Sequence, residues 1–512
     1  MNFLLDRFPV ETYTELKNAL EELGHKIPLT VLTIQSKSLD LKIETNHFFD
    51  RDVALGIVTK NTPVILNNSE IKEASKYEGL AINSFSRYDT TQGNFSAQEM
   101  SNHYYELYNF WLYQIKTYKI DFCFHHYLPH DPSSLVLYLV LKHKKIPAIF
   151  VDVPIVLNKF RMLSCSLKHR SLLLENKNEK SKFDFNENFK KFQKSLLNNE
   201  DDAIPLVIKF RTEKKTKFNL CLKYQNKINK ILKLIMTDPY KAIKKIWEHY
   251  FGLENAFFKI SRHSWASKKN NMFKIQYFFF TNILKLKLLL KLNHYESKCI
   301  KNITGEYIYF AMPAQPEGTT LPTALEFTNV VLVLKMIREA IPQEIQIIVK
   351  ENLSVFETRN PYISGVNYRS PDFYDELLKI SNLKFVSTKK NSHEIIKNAK
   401  LVAAINGTAI IEATAFGKPA ITFGSNWYDN IDYIHKFISI DKLRDFYKKN
   451  VSMNKNLTQP SSFKIQLDKD MMFEIKKHNA YQTNIDARKK LIKSFIRSID
   501  KFKKIDDRKW DV

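Results

Sequence analysis

At 512 residues the chain is too long for one hydrophobic core, so two or three domains are expected. Only 11 glycines and 17 prolines argue against long flexible linkers and low complexity. Four scattered cysteines with no C-x-x-C pair argue against a disulfide scaffold or a zinc site and point to a reducing compartment. The formal charge of +25 favours an anionic partner such as a membrane surface, a nucleic acid or an acidic polysaccharide, although a lysine- and isoleucine-rich composition of the kind AT-rich genomes favour accounts for part of it.

The N-terminal segment carries acids early and has no long apolar core, so no signal peptide is expected. No apolar run is long enough to predict a transmembrane helix. Apolar runs at Leu29 to Ile34, Val53 to Val58, Phe122 to Phe124 and Ala148 to Val151 predict buried strands, and Ser96 to Thr117 predicts a helix. Such alternation implies an α/β layer with a mostly parallel sheet. After a strand ending near His125, a proline-broken loop carries His130 and Asp131, and Ser133 can cap the next helix. Loops at strand carboxyl ends are where such folds place ligands, so His130 and Asp131 are candidate catalytic residues. For His130 a purely local role, satisfying the loop backbone, stays open.

From about 160 to 300 proline and glycine almost vanish and lysine dominates. This predicts a basic helical insertion whose face meets an anionic surface or only solvent. Within it, Ile275 to Leu292 reads as a core helix with lysine stems reaching water or as an interfacial helix. A second α/β pattern begins at Tyr307. Strands are predicted at Tyr307 to Ala311, Ile345 to Lys350, Lys384 to Ser387, Leu401 to Ile405 and Ala420 to Phe423. Helices are predicted at Pro322 to Ala340, Phe373 to Ile380, Ser392 to Ala399 and Ala409 to Phe416. The tail after Ile438 reads as helical and basic. The implied units are 1–160, a Rossmann-like acceptor domain; 161–300, the insertion; 301–440, a Rossmann-like nucleotide-sugar domain; and 441–512, a helical tail.

Three loops of the second pattern fall at strand carboxyl ends. Gln315, Pro316, Glu317, Thr319 and Thr320 lie in a proline-stiffened loop, with Glu317 a candidate catalytic carboxylate. Lys350, Glu351 and Asn352 end the next strand. Asn406-Gly407-Thr408 forms a strand-to-helix turn, with Glu412 one helical turn further on. A cation, a helix N-terminus and carboxylates suit a nucleotide sugar, with phosphate at the helix end and ribose hydroxyls on a carboxylate. Gly407 as a mere turn residue is the plainer alternative. No P-loop, kinase signature, G-x-S-x-G, H-E-x-x-H or G-x-G-x-x-G occurs, and no metal or cofactor site is expected.

The segments YIYFAMPAQPEGTTLP, VKEN, YRSPDFYDELLKISNLKFV and NGTAIIEATAFGKPAITFG, within about residues 300 to 435, resemble the bacterial capsular polysaccharide biosynthesis proteins. That family includes the retaining β-Kdo transferases of capsule assembly. The resemblance implies a GT-B-like architecture: two Rossmann-like doubly wound domains facing a cleft, here with the basic helical insertion between them. It also implies a cytoplasmic glycosyltransferase at the inner face of the membrane, taking a nucleotide-activated sugar, CMP-Kdo in the family's Kdo transferases, to a lipid-linked or growing glycan. Gln315 to Glu317 and Gly407 to Glu412 would line the donor side. The family commonly carries His-Pro after Lys-Glu, where this chain has Asn352-Leu353. Asn352 can hydrogen-bond but cannot carry charge. A non-catalytic glycan- or lipid-binding assembly factor and a nucleotide-sugar epimerase are the alternative functions. Without a recognisable nucleic-acid module, no nucleic-acid partner is expected.

Overall fold

The computed structural model describes residues 1–33, 46–54, 56–85, 96–152, 160–168, 170, 185–197, 274–315, 320–356, 368–429, 431, 433–452, 472–474 and 485–502. Two seven-stranded sheets organise them. The first contains β1 (Asn2–Phe8), β2 (Lys26–Leu32), β3 (Asn46–Phe49), β4 (Phe122–His125), β5 (Ala148–Asp152) and β6 (Phe160–Ser164). The second contains β7 (Cys299–Ile300), β8 (Tyr307–Ala311), β9 (Gln346–Lys350), β10 (Leu383–Val386), β11 (Leu401–Ala404), β12 (Ala420–Thr422) and β13 (Ile434–Lys436). A last strand, β14 (Met472–Glu474), returns to the first sheet.

Strand order makes both units Rossmann-like. The first sheet runs β14-β6-β5-β4-β1-β2-β3, parallel from β3 to β5, with β6 and β14 antiparallel additions. The second runs β13-β12-β11-β8-β9-β10-β7 and is parallel throughout. In each, the order reverses beside the unit's first main strand, β1 or β8, as in a doubly wound fold. The two Rossmann-like units give the GT-B-like architecture that the sequence implied.

Central strands of a parallel sheet are covered on both faces, so their side chains are apolar on both sides. Leu4 of β1 faces a layer with Trp111, Tyr138 and Leu139 from the helices Ala97–Tyr118 and Pro132–His143. Its neighbours Phe3 and Leu5 face another layer, which runs without a break into Tyr309, Val402 and Trp427 of the second unit. Phe189, Phe192 and Leu196 of the helix Phe185–Leu197 belong to this shared layer, and Gln193 donates to the Ala415 carbonyl at 2.8 Å. The two units therefore share apolar packing as well as polar contacts.

Several elements depart from the sequence reading. Val53 to Val58 is no strand: the helix Asp50–Ala54 ends there and turns follow, with Gly56 at φ 64°. Among its described residues only Val53 lies fully in the core, with Val58 part-buried against it, and two helix-starting acids adjoin it, so the stretch turns into helix. The helix expected from Pro322 starts at Val330, after a short 3-10 turn, where Asn329 caps the Leu332 N–H at 3.1 Å. Asp131, not Ser133, caps the helix Pro132–His143. The basic middle region holds β6 and β7 as well as helix, and its residues 198–273 lie outside the described residues. Of the helix Lys274–Ser297, Leu288 and Tyr295 are buried but Leu286, Leu289 and Leu290 are exposed, so it is not wholly a core helix. Among the described residues no helix is long and apolar enough to cross a membrane.

The tail divides: the helix Ile440–Tyr447 buries Leu443 and Tyr447 in the second unit's core, and the later segments return to the first unit. β14 pairs with β6, and the helix Ile485–Phe502 lays Phe495 flat on Phe124 with ring centroids 3.7 Å apart, edge-on to Phe3 and Phe122. Replacing a fully buried phenylalanine costs about 3–5 kcal/mol. Phe495→Ala is expected to lower the first unit's unfolding free energy by that amount, seen as a lower urea midpoint. An unchanged midpoint would show that the helix is not docked there.

Candidate active site

The second unit's order reverses between β8 and β11, which lie side by side with Ala311 opposite Ala404. The chain leaving β8 crosses towards β9, and the chain leaving β11 towards β12. The crevice between two diverging chains is where open α/β sheets bind ligands. One wall is Met312 to Gln315 and the other is Asn406-Gly407-Thr408.

Gly407 takes φ 148°, a conformation that side chains disfavour, and a Cβ there would meet nothing within 4 Å. Glycine is thus required by the backbone and not by crowding. It precedes the helix Thr408–Ala415, whose start has no side-chain cap. The N–H groups of that first turn need an outside partner, which a half-buried helix end can find in an anionic ligand. The buried Tyr428 hydroxyl braces the turn, accepting from the Gly407 N–H at 3.1 Å and donating to its carbonyl at 2.9 Å.

Beside this turn, at the same sheet edge, Lys350 Nζ donates to Ser392 Oγ at 2.7 Å. Ser392 and His393 open the helix Ser392–Asn398, and His393 Nε2 lies 3.6 Å from Glu412 Oε2. Glu412 is buried. Burial keeps the nearby Tyr309 phenol protonated far above its usual range, and the Glu412 charge adds to this. Lys350, Glu412, Gly407 and Thr408 from the sequence reading therefore gather at one edge. His393 was missed: the reading sought a histidine after Lys-Glu, and the edge draws one from the next helix.

Other predicted residues play inward roles. Glu351 is 2% exposed and accepts from Arg369 Nε at 2.6 Å and the Tyr374 hydroxyl at 3.0 Å. Arg369 also donates to Gln315 Oε1 and the Pro313 carbonyl, tying the end of β9 to the loop after β8. Gln315 donates to the Thr328 carbonyl. The polar groups of Glu351 and Gln315 thus brace the wall of the crevice from inside. Asn352 accepts from the N–H and hydroxyl of Ser354, starting the short turn Leu353–Phe356. Thr320 is buried, and Pro316, Glu317 and Thr319 lie outside the described residues. Among the described residues no cluster could hold a metal ion.

In the first unit the reversal lies between β1 and β4. Asp131 caps the Ser134 N–H at 3.2 Å and pairs with Arg7. Burial opposes its charge, but Arg7, His130 and Ser134 outweigh it and hold the carboxyl below its usual range. Such a carboxylate is a weak base. His130 Nδ1 donates to the Leu128 carbonyl at 2.6 Å, which fixes the ring in the loop. Beneath them Asp6 Oδ2 lies 2.8 Å from His125 Nδ1 and accepts from the Ser134 hydroxyl at 2.6 Å. Cys123 Sγ is 3.6 Å from His125 Nε2, but burial pushes the thiol up, so this buried set is no activated nucleophile.

No protein-family model matches the chain, and no curated protein matches it. Solved structures with some likeness include a β-Kdo 2,7 transferase, KpsC of Thermosulfurimonas dismutans, at 17% identity over 33% of this chain and 53% of that one, TM-score 0.21. Here the chain matches only about half of the relative's length. UDP-GlcNAc 2-epimerase from Neisseria meningitidis bound to UDP-GlcNAc shows 10% identity over 97% of this chain and 100% of that one, TM-score 0.23. A glycosyltransferase from Rickettsia africae shows 10% identity over 98% of each chain, TM-score 0.23. Superposition this loose carries no argument about function.

Two measurements check the electrostatics. Arg369→Met leaves the Glu351 carboxylate buried without its cation. Breaking a buried pair in this way costs about 3–5 kcal/mol in urea unfolding, and a loss below about 1 kcal/mol would contradict the brace. Burial, with Arg7 nearby, pushes the His126 imidazole down to about 3. Between that value and its ordinary 6.5 the unfolded chain binds a proton that the folded one refuses, so stability falls as pH drops. From pH 7.0 to 5.5 the wild type should lose about 1 kcal/mol more than His126→Phe. Equal losses would contradict the assignment.

Proposed function

We propose that the protein is a glycosyltransferase of capsular or other surface-polysaccharide synthesis, moving a sugar from a nucleotide-activated donor to a glycan or glycolipid acceptor. The observation that carries the reading is the uncapped helix start at Gly407, set at the strand-order reversal beside Lys350, Glu412 and His393. The sequence resemblance around Gln315 to Glu317 and Gly407 to Glu412 supports it.

In this reading the second unit binds the donor. Thr408 and the following N–H groups receive the phosphate, Lys350 adds a positive charge, and Glu412 accepts from the ribose hydroxyls. As the glycosidic bond to phosphate breaks, negative charge builds on the departing phosphate, and fixed donors aimed at it lower the barrier. His393, and not Asn352, supplies an imidazole at this edge. The acceptor lies on the first unit, where His130 Nε2 takes the proton of the attacking hydroxyl. His130 is preferred to Asp131, whose carboxylate already serves Arg7 and the helix cap. Glu317 remains a candidate catalytic carboxylate on the donor side. A lipid-linked acceptor would bring the chain to the cytoplasmic face of a membrane. Exposed Leu286, Leu289 and Leu290 beside Lys287 suit contact with an anionic surface.

Titrating the protein with CMP, UDP and their sugar conjugates tests the donor side. A charge-assisted hydrogen bond is worth about 1.5–3 kcal/mol, so Lys350→Met and Glu412→Gln should each weaken nucleotide binding by about tenfold or more. Absence of binding by the wild type to any of these nucleotides would overturn the proposal. Conversion of a UDP-sugar without acceptor would replace it with the epimerase reading.

A further inference from the structure

The turn at Gly407 belongs to the second unit, yet a buried polar relay connects it to the first. Asp152, at the end of β5, holds Arg170 in a two-pronged ion pair, with Nε and Nη2 each 2.6 Å from a carboxylate oxygen. Arg170 Nη1 reaches across the junction to the Ser425 carbonyl at 3.1 Å, and its own N–H lies 3.4 Å from Ser425 Oγ. The Ser425 N–H donates to the Thr323 carbonyl at 2.9 Å. Asn406 Nδ2 donates to Thr323 Oγ1 at 2.9 Å, and Asn406 Oδ1 accepts from Asn426 Nδ2 at 2.6 Å. Asn406 immediately precedes Gly407.

Every side chain on this path is at least nine-tenths buried: Asp152 3%, Arg170 7%, Thr323 0%, Ser425 0%, Asn426 4% and Asn406 7% exposed. Stability alone does not call for such a set, since well-packed apolar residues in place of a buried ion pair are often as stable or more so. What the relay does fix is geometry. The Asn406 amide is held from both sides, and Gly424 packs so close that a Cβ would lie 2.3 Å from Asn406 Oδ1. That holds the chain entering the φ 148° turn in one place.

We infer that Arg170, a residue of the first unit, is a positioning residue for donor binding: through Ser425, Thr323 and Asn406 it sets the Gly407 turn in the shape that receives phosphate. This rests on the reading that the turn binds a nucleotide. Its consequence is that nucleotide affinity depends on the docking of the two units, although Arg170 does not touch the nucleotide.

The test is calorimetric titration of the full chain with CMP and with UDP, for the wild type, Arg170→Met, Thr323→Val and the double variant. Thr323→Val keeps the shape and removes the hydroxyl that accepts from Asn406. Small misplacements of binding groups carry large penalties, so Arg170→Met should weaken nucleotide binding about tenfold and Thr323→Val about threefold. The double variant should be no weaker than Arg170→Met, because both cut one path. Arg488→Met breaks a different ion pair, with Glu15, and serves as a control that loses stability but keeps affinity. Should Arg170→Met fail to fold, Thr323→Val decides alone. If the wild type binds and both variants bind equally well, the relay is overturned and the nucleotide site stands. An equal loss in Arg488→Met would also overturn it, by showing a general effect of stability. If the wild type binds neither nucleotide, the site itself is wrong and the inference falls with it.

Discussion

The parallel pairing of β8 with β11 is the constraint on which the candidate site depends. Two adjacent parallel strands end at the same edge, and here their outgoing chains must part, because one connects to β9 and the other to β12. Parting leaves backbone N–H groups and loop side chains facing a gap that no element of the sheet fills. Lys350 and His393 reach that edge because β9 and the helix after β10 belong to the same parallel array. The site is therefore a consequence of strand order, and its chemistry comes from four short loops.

The charges near that edge divide into two kinds. Glu351 with Arg369, and Asp152 with Arg170, are buried pairs with short contacts, and they fix where loops leave the sheet. Their worth lies in the cost of breaking them more than in any net gain from making them. Lys350 and His393 are different: both are part-exposed at the mouth of the edge, beside the buried Glu412. Part-exposed groups can turn to a ligand without uncovering a buried charge. The formal charge of +25 mostly lies elsewhere and bears on long-range attraction, not on the site.

Much of the second unit was legible in its sequence. The strands at Tyr307, Leu401 and Ala420 and the helix after Thr408 lie within a residue or two of expectation, because apolar runs bounded by Gly407, Gly417 and Gly424 leave little choice. In the first unit the helix expected from Ser96 to Thr117 runs Ala97–Tyr118, and the structure adds the reciprocal cap of Ser96 with Glu99. β1 was not, because Asp6 and Arg7 interrupt its apolar pattern, and only the fold shows that Asp6 is paired inside. Nor could the sequence show that Ile485–Phe502 packs on β1 and β4, or that Arg369 and Arg170 would find Glu351 and Asp152. Pairs far apart in the chain leave no periodic trace. The inward partners of Gln315 and Glu351 were illegible for the same reason: a polar residue in a loop looks free until its partner is known.

Hydrogen exchange of the full chain, with and without saturating CMP or UDP, tests the central claim most directly. The account predicts slowed exchange at the start of the Thr408–Ala415 helix and around Lys350 to Ser354, with the outer helices of the first unit unchanged. Slowed exchange confined to the first unit, or none at residues 405–412, would contradict it.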